Sequence, residues 1–155
     1  MRLAILALIV FLSHPPVSSG DTSKSNSLQT GVDEDRLLVA LNLELQKVSL
    51  AHASQGQQLE LILDQPSRLI VTNEFAQCRF QPASVSIRET DSTREYSARY
   101  SARCQNIAVL TKFALAIFSY LPPDFKLKTS VISEFETRTQ SINKDSNVVV
   151  LKPLN

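Results

Sequence analysis

The chain is 155 residues long, 43% hydrophobic and 20% charged, with 16 basic and 15 acidic residues, two cysteines and two histidines. That length suits one domain with a core of its own. A formal charge of +1 offers no basic excess for nucleic acid or an anionic membrane, and three glycines supply no phosphate-cradling loop.

The N-terminus has the pattern of a secretory signal. Arg2 precedes an unbroken apolar run over residues 3–12 (LAILALIVFL), which His14, Pro15 and Pro16 stop. The run is too short to span a bilayer, and the small residues of VSSG admit cleavage near Gly20. Residues 1–20 are therefore read as a signal peptide, which places the mature chain in the periplasm or outside the cell, with no membrane span after cleavage. Removing them takes away one basic residue, Arg2, and leaves fifteen basic against fifteen acidic residues. Residues 21–35 (DTSKSNSLQTGVDED) are polar and predict a flexible leader, with a single folded domain over residues 36–155.

Beyond the leader most of the chain alternates as strands do. RLLVALNLELQKVSL puts Leu37, Val39, Leu41, Leu43 and Leu45 on one face. HASQGQQ, with Gly56, predicts a turn, and QLELILDQ a second strand with Leu59, Leu61 and Leu63 inward. Pro66 ends it, and SRLIVT predicts another short strand.

The segments around the cysteines permit a register. In REYSARYSARC, Tyr96, Ala98, Tyr100, Ala102 and Cys104 share one face, with Glu95, Arg99 and Arg103 on the other. In CRFQPASVSIRE, Cys78 and Phe80 lie on one parity, Val85 and Ile87 on the opposite one. A β-bulge at Pro82 and Ala83 reconciles them, and Pro82 has no N–H to give a ladder. With residues 88–95 as the connection, Ile87 faces Tyr96, Val85 faces Ala98, Phe80 faces Ala102 and Cys78 faces Cys104. Facing residues of an antiparallel pair lie within disulfide reach, and an exported chain with two cysteines is expected to join them.

After Cys104 the period becomes helical. Leu110, Phe113, Ala114, Ile117, Phe118 and Leu121 follow the i, i+3, i+4, i+7 spacing, Asn106 is a candidate N-cap, and Pro122 and Pro123 stop the run. FKLKTSVIS, FETRTQSI and NVVVLK predict three more strands, with INKDSN turning between the last two. The expected class is α+β: a mainly antiparallel sheet carrying one principal helix over about residues 107–121, and one disulfide.

Chemistry-bearing residues are sparse. His52 is the single histidine of the mature chain, so it is the one imidazole available as a metal ligand or a catalytic base. Asp33, Glu34 and Asp35 form an acidic run, and Glu134 and Glu136 share a predicted strand face. None of these builds a nucleophile motif, and the residues predict a non-enzyme with no catalytic residue and no cofactor.

The order of motifs QQLELILDQPS, CRF, YSARYSARC, LTKFALAIFSYLP, TRTQ and NVVVL, over roughly residues 48–151, resembles the ZrgA-like family of periplasmic zinc-binding proteins. The resemblance implies an exported domain that binds zinc and serves its acquisition. This chain departs from the family in lacking histidines along its first strand and in the connection RETDSTRE. A disulfide would also consume both thiols, so no family ligand transfers to a numbered residue. The expectation is an exported non-enzymatic binding or accessory protein, histidine-poor relative to that family, whose partner is another exported or envelope protein. The alternative is a metal-independent interaction module of the cell envelope.

Overall fold

The computed structural model describes residues 26–47 and 53–152. The expected signal peptide, residues 21–25 of the expected leader, and His52 lie outside them. The described chain begins in a strand, β1 (Ser27–Asp33), which turns tightly into β2 (Arg36–Gln46). The leader reading is therefore corrected for residues 27–35. Leu28 and Thr30 are buried, and β1 pairs antiparallel with β2 on one side and parallel with β8 (Leu127–Ile132) on the other. A strand in mid-sheet is held by backbone hydrogen bonds on both edges, so it needs few apolar side chains. Thr30 adds a hydroxyl donation to the Leu38 carbonyl at 2.9 Å. Glu34, at φ 51°, takes the left-handed conformation that the two-residue connection requires.

The principal helix is elsewhere than expected. It is α1 (Ala53–Leu63), over the residues read as a turn and a strand. Both periods fit QLELIL; the structure takes the helical one, burying Leu59, Ile62 and Leu63 and leaving Leu61 62% exposed. Gln, Glu and Leu are good helix formers, which favours that choice. A short turn of helix, α2 (Pro66–Leu69), follows with proline at its start, where the missing N–H costs nothing. Only residues 70–72 of SRLIVT form a strand, β3 (Ile70–Thr72).

The segment expected to be helical over residues 107–121 is instead two 3-10 turns (Ile107–Val109, Phe118–Tyr120) around a strand, β7 (Lys112–Leu115). The side chain of Asn106 makes no capping hydrogen bond. Leu110, Phe113, Ile117, Phe118 and Leu121 are buried as the stripe required, but so is Leu115. Phe113, Leu115 and Ile117 also obey period two. Pairing with β3 on one side and β10 (Val148–Val150) on the other decides in favour of the strand.

The cysteine-bearing hairpin has the register read from the sequence. β4 (Cys78–Phe80) and β5 (Ser84–Glu89) both pair with β6 (Thr93–Cys104): Cys78 faces Cys104, Phe80 faces Ala102, Val85 faces Ala98 and Ile87 faces Tyr96. Residues 81–83 oppose only residues 100 and 101, the one-residue excess of a bulge. The hairpin pairs further than expected, with residues 90–92 alone as its connection.

The larger sheet runs β4-β6-β2-β1-β8-β9, with β5 alongside β6 and β9 spanning Thr137–Ile142; a three-stranded sheet runs β10-β7-β3. Pairing is antiparallel throughout except β1 with β8, so the class is α+β with a mainly antiparallel but mixed sheet. The inward faces of both sheets and α1 enclose one core. Tyr100 ties sheet to helix, donating to the Leu63 carbonyl at 2.9 Å, and burial pushes its phenol pKa well up. Arg94 of β6 binds Glu60 of α1 at 2.9 Å and also Glu89 of β5. The Arg94 hydrogen bond and charge hold the Glu89 carboxyl below its usual range.

Two glycines respond oppositely to a methyl group. A Cβ on Gly31 would sit 2.9 Å from the Ile132 carbonyl oxygen across the parallel pair, whereas one on Gly56 would meet Arg94 Nη1 at an ordinary 3.5 Å. Gly31→Ala is expected to cost about 1–3 kcal/mol. Gly56→Ala, inside α1, should add about 0.5–1 kcal/mol. Urea midpoints that fail to move in opposite directions would refute these placements.

Candidate functional site

Among the described residues, strand pairing leaves two faces uncovered, and they differ in chemistry. On the small sheet, Val149, Phe113, Leu115 and Ile70 point inward and are buried. The alternate row is outward: Val148 lies opposite Ala114, and Ala114 opposite Val71, so one apolar row crosses all three strands. Val150 lies opposite Lys112 at the end of the sheet where β3 leaves and β7 enters. The chain leaves β3 into a 3-10 turn (Glu74–Ala76) carrying Phe75, 71% exposed. Asn73 braces that turn, accepting from the Ala76 N–H at 2.9 Å and donating to the Val109 carbonyl at 2.9 Å. Val109 is thereby held beside it. Of nine large apolar side chains exposed among the described residues, five belong to this sheet and its two turns: Val71, Phe75, Val109, Val148 and Val150.

The outward face of the large sheet is mainly polar, with Leu38 and Ile132 as its large apolar side chains. Its upper part holds a shallow groove of about 330 Å³ lined by Ser27, Asn42, Leu43, Glu44, Glu95, Tyr96 and Ser97. There the Ser97 hydroxyl donates to Asn42 Oδ1 at 2.9 Å, and Glu44 lies opposite Glu95. At the other end, Arg36 of β2 lies opposite Arg103 of β6, which lies opposite Arg79 of β4. Their chain neighbours Leu37, Ala102 and Cys104 are buried, so the three guanidinium-bearing positions are all outward. Arg99, four residues back along β6 from Arg103, shares that face opposite Ser84.

The residues singled out in the sequence do not converge. Cys78 and Cys104 form a disulfide with an S–S distance of 2.05 Å, and no cysteine is free. Glu134 and Glu136 lie in the β8–β9 connection rather than on a strand face, and Glu136 pairs with Arg138 at 2.9 Å. Asp35 pairs with Arg103 at 3.1 Å and lies 4.0 Å from Arg36, so the acidic run serves the arginine row. Among the described residues no group of three or more His, Cys, Asp or Glu is placed to hold a metal ion, and no helix is long and apolar enough to cross a membrane.

Both uncovered faces escaped the reading of the sequence. The outward row of the small sheet was hidden by the helical assignment of β7, and the arginine row requires a register between β2, β4 and β6. The available signal was Arg99 and Arg103 on one parity of the strand that ends in Cys104. Compared with family models and with curated proteins, the chain matches none.

Proposed function

We propose that this protein is an exported, non-enzymatic binding module that docks another exported or envelope protein through the outward face of its small sheet. The observation that carries this reading is that five of the nine large apolar side chains exposed among the described residues belong to this sheet and the two turns that flank it, three of them on the outward face itself. Scattered apolar residues are normal on a surface; a contiguous group is characteristic of an interaction site. Phe75 is its natural anchor, being aromatic, exposed and set on a braced turn. Export is supported by the signal-like N-terminus and is compatible with the disulfide.

A photo-crosslinking residue at Val71, in full-length protein expressed in its own host, is expected to give an adduct of discrete mass. The same probe at Ser86, on β5 of the large sheet, should give none, and Phe75→Ser should abolish the Val71 adduct without lowering the urea midpoint. No adduct at Val71, or equal adducts at both positions, would overturn the reading. The zinc role implied by the family resemblance makes a different demand. With both thiols in the disulfide, its ligands would be His52 and carboxylates. Calorimetry on metal-stripped protein should find no submicromolar zinc site. A stoichiometric nanomolar site would replace docking by zinc handling as the leading function.

A further inference from the structure

We propose that the arginine-bearing end of the large sheet's outward face binds an acidic polysaccharide. Its sulfate or carboxylate groups would be taken by Arg36, Arg79, Arg99 and Arg103, and its sugar hydroxyls by the neighbouring serines and amides. This surface belongs to the other sheet, so the inference is independent of the docking reading above.

The row is anomalous as a piece of sheet. Like charges directly opposite on neighbouring strands are destabilising, and sheets ordinarily alternate sign across a pair. Here three arginines stand abreast on β2, β6 and β4, at a strand spacing of about 4.8 Å. Among the described residues Asp35 is the one carboxylate ion-paired with them, at the Nε edges of Arg103 and Arg36, and Asp33 lies opposite Arg36 in the register. Arg79 and Arg99 form no ion pair with a described residue. Side chains of Arg36 and Arg103 are 53% and 62% exposed, so their outer nitrogens face solvent. A surface that breaks a local pairing rule and is only partly compensated from within is a place to look for a ligand that supplies the rest.

The chemistry of that ligand follows from the residue types. All four cations are arginine, whose planar fork matches sulfate, phosphate and carboxylate in a bidentate way, where lysine offers only a point charge. Beside them on the same face lie Ser84, Ser97, Ser101, Asn42 and Gln29, which give hydroxyl and amide groups, with the half-buried Leu38 as the one large apolar side chain set among the four arginines. Spaced anions combined with many hydroxyls describe an acidic glycan. The mature chain, these arginines included, is neutral as a whole, so the attraction is local to the row rather than a property of the whole molecule.

The test uses the oxidised full chain, with heparin as the probe, at low and physiological salt. Heparin is expected to bind, more weakly as salt rises. Arg79→Gln/Arg103→Gln should weaken binding by about tenfold or more, while its urea midpoint holds or rises because a like-charge contact has been relieved. Lys126→Gln/Lys144→Gln removes the same charge from exposed positions elsewhere and should bind as the unaltered chain does. Absence of heparin binding at low salt, or equal losses in the two double variants, would overturn the proposal. So would row-dependent binding to phosphatidylglycerol vesicles that matches or exceeds heparin, since the occupant would then be a lipid surface.

Discussion

Phe113→Ala is expected to lower the stability of the folded chain by about 3–5 kcal/mol, read as a fall in the urea midpoint at unchanged slope. Phe113 is 1% exposed in the middle strand of the small sheet, between Val149 on one side and Thr72 on the other. Truncating it removes a large buried ring from a layer with core beneath it and paired strands on both edges, so the cavity has little freedom to collapse. Against a typical domain stability of about 5–15 kcal/mol, that is a large fraction of the whole. The substitution does not separate strand from helix, because both bury Phe113; Leu115→Ala does. Two residues on, Leu115 is on the same face of a strand but some 200° round a helix. A cost of about 2–5 kcal/mol at Leu115 is the signature of the strand. A midpoint unchanged by Leu115→Ala, together with a large loss at Phe113, would restore the helix over residues 107–121.

These two residues also show where the sequence was legible and where it was not. The hairpin of β4, β5 and β6 could be read to the register because nine residues of β6, from Tyr96 to Cys104, alternate without interruption and two cysteines must meet. Parity then located the bulge. Local pattern fails where two periods coincide. QLELIL satisfies alternation through Leu59, Leu61 and Leu63, and a helix through Leu59, Ile62 and Leu63; burial of Ile62 and exposure of Leu61 are tertiary facts. From Leu110 to Leu121 the same ambiguity was resolved the opposite way, because β3 and β10 offer ladder partners that no window of the sequence contains. β1 was hidden for another reason: a central strand can be polar when its backbone is paired on both sides. Both candidate surfaces inherit this limit. The parity of Arg99 and Arg103 was visible, but Arg36 and Arg79 join them only through pairings between distant segments.

Removing the disulfide, by Cys78→Ala/Cys104→Ala, is expected to cost on the order of 3 kcal/mol, because a cross-link at a separation of 26 residues no longer restricts the unfolded chain. Mass spectrometry of the native protein should correspondingly find no alkylatable thiol without reduction. The loss should also have a place in the fold. β4 is three residues long, pairs with β6 alone and is cut off from β5 by the bulge. The covalent bond to Cys104 is therefore its principal anchor, and amide exchange at Arg79 and Phe80 should quicken more than exchange in β2 or β8. Arg79 is the outermost member of the arginine row, so loosening β4 displaces one guanidinium from the line. Heparin affinity should fall in the cysteine-free chain toward that of Arg79→Gln, while crosslinking from Val71 persists, because the small sheet does not depend on β4 for its pairing. Equal quickening of exchange throughout the large sheet would show that the bond acts only through the unfolded state. Two alkylatable thiols in native, unreduced protein would remove the bond altogether.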